Sequence, residues 1–114
     1  EIKFRAWDTK SESMEYEIAI GKGYGEDSYI LFLGLGETFI IDDDIVKIMQ
    51  YTGLKDKNNV EIFEYMEIDN TYEVSFLNGS YVLTNISNGD IMLLSNYMEN
   101  HNGKVEITRE YTKV

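Results

Sequence analysis

The chain has 114 residues and a mass of 13.2 kDa, enough for one globular domain whose core buries about two-thirds of the unfolded surface. It contains no cysteine and no proline, which excludes a disulfide scaffold, a thiolate metal site and a cysteine nucleophile. Its net charge of −11 and pI near 4.4 disfavour binding to nucleic-acid phosphates or to an anionic membrane surface.

Apolar and polar residues alternate with a period of two along much of the chain, and this alternation predicts β-strands from the first residues onward. Residues 2–7 and residues 14–20 each alternate in hydropathy, and the polar stretch 8–13 between them predicts a hairpin with a longer loop. Trp7 falls on the opposite face of the first strand from its regular apolar residues. Both faces of that strand are therefore partly apolar, which is typical of a buried strand or a subunit contact and makes Trp7 a candidate partner contact.

Short apolar runs, separated by glycine-rich or acidic stretches, occupy the middle of the chain. Residues 21–28 indicate a flexible connector, and residues 29–33 and 38–41 predict short strands. The three aspartates that follow form either a loop or the first turn of a short helix, where the helix dipole favours acidic side chains. Residues 46–51 favour a strand.

The C-terminal half contains the clearest turn signal. Asn78-Gly79 lies between two runs of strand-forming residues, 71–76 and 80–84, and predicts a tight β-hairpin. The remaining segments, in chain order, are predicted turns at 55–59 and 88–90, a short helix or irregular strand at 91–98, and a closing strand at 105–109.

These patterns together predict a mainly β protein with minor α content. We expect one domain over residues 1–114, with a division into lobes 1–50 and 51–114 left open. No stretch resembles a targeting segment, and the longest apolar run, 29–35, is too short to cross a bilayer. A cytoplasmic protein without a membrane association is therefore the expectation.

Acidic residues are concentrated in two long segments. Residues 12–46 carry nine acidic residues and one lysine, and residues 58–103 carry seven acidic residues with no lysine or arginine. A surface of this kind keeps a protein soluble, or it meets a basic partner. Asp42, Asp43 and Asp44 form the densest acidic group and are candidate partner contacts.

No residue pattern indicates catalysis or a cofactor. His101 is the single histidine and lies in a polar stretch that predicts an exposed turn, so a Ser–His–Asp triad has no basis. The glycines of residues 21–25 lack the Gly-Lys-Ser/Thr of a phosphate loop. The three consecutive aspartates could bind Mg²⁺ or Ca²⁺, but adjacent side chains on an extended chain point to opposite faces. We therefore expect no cofactor and no metal site.

Two motifs resemble the YopX family of small phage and prophage proteins. Residues 2–8, Ile-Lys-Phe-Arg-Ala-Trp-Asp, are similar to the usual opening of the family, and residues 49–58 are similar to its signature. The signature residues are Tyr51, Thr52, Gly53, Leu54, Lys55 and Asp56.

The resemblance implies a β-rich fold with a small SH3-like β-barrel as the C-terminal lobe, which would follow the N-terminal hairpin region that the alternating pattern predicts. It also implies phage origin, the cytoplasm of a bacterial host, a tendency to form homo-oligomers and no established activity, and it supplies no catalytic residues. The family commonly has Gly-Asp-Ile-Val where residues 65–68 of this chain are Tyr-Met-Glu-Ile. The turn that usually opens the barrel is therefore expected to be missing.

Three functions are compatible with these observations. The favoured one is a non-catalytic accessory protein that contacts a host or defence protein, in particular a basic one, through its acidic surface. The second is a homo-oligomer whose assembly is its role, supported by the face that carries Trp7. The third is a metal-dependent hydrolase built on carboxylates, for which the three consecutive aspartates are the local candidate.

Overall fold

The computed structural model describes residues 3–9, 11–16, 18–22, 29–33, 38–40 and 46–111, of which 19–22, 29–33 and 38–40 are described by their backbone. The described part is mainly β, as the alternating pattern predicts, with one short helix. The strands are β1 (Phe4–Asp8), β2 (Ser13–Glu15), β3 (Ile18–Lys22), β4 (Tyr29–Leu33), β5 (Thr38–Ile40), β6 (Val46–Lys55), β7 (Glu61–Phe63), β8 (Glu67–Ile68), β9 (Tyr72–Leu77), β10 (Ser80–Asn85), β11 (Ile91–Leu93) and β12 (Ile107–Arg109), and the helix is α1 (Leu94–Asn100).

The chain forms two compact units, residues 2–50 and residues 51–111. The boundary lies inside the long strand β6. The first half of β6 pairs with β1, and its second half pairs with β7.

In the unit of residues 2–50, β1 lies between β2 and β6, and both pairings are antiparallel. Trp7 lies opposite Met14 on one side and Lys47 on the other. Arg5 and Ala6 are adjacent in the strand and both fully buried, so both faces of β1 are covered at this point. The first strand is therefore a buried one, as its two partly apolar faces predict.

The predicted strand over residues 14–20 is wrong as a single element. β2 ends at Glu15, and β3 begins at Ile18 and pairs with β4 rather than with β1. A strand that leaves one neighbour for another keeps its side-chain alternation, so hydropathy with a period of two gives no sign of the change.

In the unit of residues 51–111, five antiparallel strands form one sheet in the order β11-β10-β9-β8-β12. The sheet curls into a half-barrel, which agrees with the small β-barrel that the family resemblance implies. Its concave side and α1 enclose the main core, whose fully buried members are Ile62, Ile68, Val74, Leu83, Leu94, Tyr97 and Val105.

The Asn-Gly hairpin is confirmed. Leu77 pairs with Ser80, and both loop residues have positive φ, +51° at Asn78 and +84° at Gly79. Two consecutive positive φ values define the type I′ turn, whose twist matches that of the flanking strands. This turn fixes the register of β9 and β10.

Residues 91–98, for which the sequence predicts either a short helix or an irregular strand, contain a strand followed by a helix. Ile91–Leu93 is a short strand, and α1 begins directly after it at Leu94. Leu94 and Tyr97 are buried, three residues apart on one face of the helix, while Ser95 and Asn96 are exposed. A strand and a helix that meet without a loop leave no polar boundary in the sequence, so the pattern could not separate them.

The turn before β8 is present, so the expectation that it is missing is wrong. The Met66 N–H approaches the Phe63 carbonyl at 3.4 Å, and Tyr65 at the third position has a φ of +68°. Glycine normally occupies this position of a type II turn because a Cβ is disfavoured there. The Tyr65 ring lies 5.8 Å from that of Tyr111, a contact that offsets part of the backbone cost.

Candidate interaction site

The signature residues build an irregularity in β6. Tyr51 pairs with Phe63 and Lys55 pairs with Glu61, so β6 holds two more residues than β7 between these two pairs. Gly53, with a φ of +86°, makes the bend that the extra residues require. The Thr52 hydroxyl donates to the Ile62 carbonyl at 2.8 Å and accepts from the Leu54 N–H at 3.2 Å, so it bridges the interrupted ladder.

The apolar signature residues anchor this bulged strand to the rest of the unit. Tyr51 is buried, with its ring 5.4 Å from that of Phe63, and its carbonyl accepts a 3.3 Å hydrogen bond from the Tyr81 hydroxyl. Leu54 packs against the main core. Lys55, the last residue of β6, is exposed.

Asp56 is a buried carboxylate that organises the turn after β6. Its Oδ1 accepts from the backbone N–H groups of Asn58 at 2.9 Å and Val60 at 3.0 Å. Its Oδ2 accepts from the N–H of Ile107 at 3.2 Å, 51 residues away in β12. The Lys57 N–H also donates to the Val105 carbonyl at 2.8 Å. The turn is therefore attached to the outer edge of β12.

A second carboxylate fastens the inner side of the closing strand. Asp69 Oδ2 accepts from the Tyr97 hydroxyl at 2.7 Å, and Oδ1 accepts from the Glu106 N–H at 2.9 Å. The ring of Tyr97 stacks on that of His101 at 4.0 Å. Burial, and then the hydrogen bond to Asp69, raise the pKa of the Tyr97 phenol. These groups hold α1 and β12 together.

The signature also contributes one wall of a cleft of about 350 Å³. Its side chains are apolar or neutral, and none is an acid or a base at pH 7. Burial, and secondarily the charge of Glu64, raise the pKa of the Tyr81 phenol, which keeps it protonated. The cleft is lined by Thr52, Leu54, Ser80, Tyr81, Leu93, Leu94 and Ser95. It can accept an apolar group.

The convex face of β9, β10 and β11 carries exposed aliphatic side chains next to this cleft. Ile91 is 56% exposed and Leu93 is 42% exposed, and they alternate along β11, so both lie on this face. Val82, opposite Leu93 on β10, is buried, whereas Leu77 at the end of β9 is exposed on this side. We call Leu77, Ile91 and Leu93 the apolar face.

Two acidic residues, Glu73 and Asp90, lie near the apolar face. Glu73 lies opposite Thr84, which lies opposite Ile91, so its carboxylate belongs to the same row of the sheet. Asp90 directly precedes β11, and residues 58–103 contain no lysine or arginine. The same row continues through Glu67 to Arg109 on β12, so its basic residue lies at the end opposite Ile91.

Of the remaining predicted site residues, the structure describes Trp7 but not the three aspartates. Asp42, Asp43 and Asp44 lie outside the described residues. Trp7 is partly buried in the central strand β1. His101 follows α1 in an exposed turn, as expected, and its Nδ1 lies 2.8 Å from the Tyr97 carbonyl.

The described part of the chain lacks two further features. Within it, no three His, Cys, Asp or Glu side chains come close enough together to hold a metal ion. The described part also contains no helix that is long and apolar enough to span a membrane.

Comparison with known proteins gives a family and a fold. The sequence pattern of the family described as YopX protein matches residues 3–108. The chain is similar to the crystal structure of protein EF1440 from Enterococcus faecalis, with a TM-score of 0.63 and 23% sequence identity. That match covers 96% of this chain and 92% of that one, and at this identity it shows the fold alone. No curated protein matches this sequence.

Proposed function

Because the chain belongs to the YopX protein family, which it matches over residues 3–108, we propose that it is a non-catalytic phage or prophage accessory protein that acts by contacting another protein. The observation that carries the proposal is the apolar face, with Ile91 and Leu93 exposed beside the cleft in a segment free of basic residues. Exposed aliphatic side chains that adjoin a concave apolar site are typical of protein contacts.

The partner that suits this surface is a basic host or defence protein in the bacterial cytoplasm. Negative charge near the apolar face speeds the encounter with a positively charged protein, and the aliphatic side chains supply contact area once the two meet. Asp42, Asp43 and Asp44 add to the acidic character of the chain and remain separate proposed partner contacts.

Self-association is the second candidate function, with Trp7 as its proposed contact. Trp7 is only partly buried, and β1 is paired on both sides, so a second copy would pack on the face of this strand and not along its edge. Light scattering of the wild type and of Trp7→Lys tests it. A monomeric wild type at high concentration would exclude it.

The test of the main proposal is affinity capture from lysate of the bacterial host, repeated with two matched variants. Ile91→Asp places a charge on the apolar face, and Val60→Asp places the same charge on a side chain of similar exposure just before β7. We expect a basic protein to be retained by the wild type and Val60→Asp, lost with Ile91→Asp, and bound again when purified. Retention by all three proteins, or by none, would contradict the proposal.

A further inference from the structure

We propose that β11 is the acceptor edge for an extended, basic segment of the partner, which adds as a sixth strand to the five-stranded sheet. This inference rests on the proposed function and specifies how the contact is made. It follows from the hydrogen bonding of the two sheet edges, from their side chains, and from the charge around them.

The backbone of β11 points hydrogen-bonding groups away from its neighbour. The Asn85 N–H donates to the Asp90 carbonyl at 2.8 Å, so the bond lies beside the pair Thr84–Ile91 and marks that pair as a non-bonded one. Bonded and non-bonded pairs alternate in an antiparallel ladder, which makes Met92 the next residue bonded to β10. The N–H and carbonyl of Ile91 and the N–H of Leu93 therefore point outwards, and no group in the described part of the chain bonds to them.

The opposite edge of the sheet is closed by the signature turn. In β12 the outward N–H of Ile107 is bonded to Asp56, and the nearby carbonyl of Val105 is bonded to Lys57. Arg109 and Glu110 add charges at that edge, and the β8–β12 register shifts between Ile107 and Arg109. Covering, charging and bulging an edge are the usual devices that prevent strand addition. β11 carries three aliphatic residues and no charge.

The charge of residues 58–103 favours a basic strand over a second copy of this chain as the added strand. A second copy of this chain would bring the acidic segment 58–103 against itself, whereas a basic strand would find Asp90 beside the edge and Glu73 in the row of Ile91. Side chains at alternate positions of an added strand lie on one face, so branched apolar residues there would extend the apolar face. The residue opposite Leu93 would lie at the mouth of the cleft, which Leu93 lines.

The structure offers a pair of variants that differ chiefly in one outward N–H group. Leu93 has φ −70° and ψ 132°, which proline adopts without strain, and its N–H is not used in the pairing with β10. Leu93→Pro therefore deletes the outward donor, and Leu93→Ala removes the same apolar side chain while keeping that donor. Comparing the two isolates the contribution of the backbone. Denaturation midpoints of both variants show whether each is folded.

The probe is a short synthetic peptide in which Lys and Val alternate, titrated into the full chain and followed by amide NMR shifts. A peptide with Glu in place of Lys is the control for charge. We expect shifts confined to β10, β11 and the start of α1, weaker binding at high salt, and no binding of the Glu peptide. Binding to Leu93→Pro should be about fivefold weaker than to Leu93→Ala, the effect of one lost hydrogen bond.

Three results would overturn the inference. They are equal binding of both peptides, equal affinity of both Leu93 variants, and shifts that map to β12. The inference would also be contradicted if the unliganded chain dimerises and Leu93→Pro abolishes that dimer, because the added strand would then come from a second copy. If the Lys peptide does not bind while capture of the host protein still requires Ile91, strand addition is wrong and the proposed function stands. If no host protein is captured, the proposed function itself fails.

Discussion

Removing the Asp56 carboxylate should destabilise the fold more than any other single loss of charge in residues 51–111. In Asp56→Ala three backbone N–H groups, those of Asn58, Val60 and Ile107, lose their acceptor. A hydrogen bond to a charged group contributes about 1.5–3 kcal/mol, and water can replace part of it at the two exposed turn residues. We therefore expect a loss of about 3–5 kcal/mol, a large share of the roughly 5–15 kcal/mol typical of a domain.

Urea denaturation of the full chain measures this loss, with Asp90→Ala as the matched control. Asp90 is exposed, and its carboxylate makes no hydrogen bond in the described part of the chain, so its removal changes the charge alone. Hydrogen exchange of the Ile107 amide should also accelerate in Asp56→Ala, because this strand edge becomes open. A free energy of unfolding within about 0.5 kcal/mol of the control would refute the role assigned to the carboxylate.

Three further outcomes are expected. Gly79→Val should lower the free energy of unfolding by more than about 1 kcal/mol through its φ of +84° alone, since in the described part of the chain no atom beyond the two neighbouring residues lies within 4 Å of the added Cβ; an unchanged urea midpoint would contradict this. Asn59 is exposed and has a φ of +66°, which glycine adopts more easily than asparagine. Asn59→Gly should therefore leave the free energy of unfolding unchanged or raise it by up to about 1 kcal/mol, and a clear loss in the same assay would contradict the assigned turn. Burial and the Asp69 hydrogen bond raise the pKa of the Tyr97 phenol above 10.0, so its contribution to the free energy of unfolding is complete below pH 10 and is lost as the pH rises further. Tyr97→Phe should therefore lose less stability than the wild type above pH 10. Parallel curves of stability against pH would contradict this.

The strands that the sequence predicts correctly are those whose signals are local. Asn78-Gly79 specifies its turn through the φ values that these two residues tolerate, and residues 29–33 are apolar between a polar stretch and a glycine-rich one. The short strands β7 and β8 were missed because each has only two or three residues and they surround a turn that Tyr65 makes without glycine. Two or three residues are too few to establish a period.

The apolar face could not be predicted for a different reason. Ile91 and Leu93 are typical core residues by composition, and their exposure depends on where β11 lies in the sheet. The order of strands follows from long-range pairing and leaves no pattern in the residues themselves. Asp56 was identified through the family signature, yet its bond to Ile107 joins positions 51 residues apart and has no local sign.

The most direct test of the proposed contact is hydrogen exchange of the β11 amides in complex with the protein that the capture experiment identifies. Strand addition predicts new protection of the Ile91 and Leu93 amides, which point outwards, and little change at Met92, which already bonds to β10. Protection that appears at Ile107–Arg109, or that leaves Ile91 and Leu93 exchanging as in the unbound chain, would contradict the account.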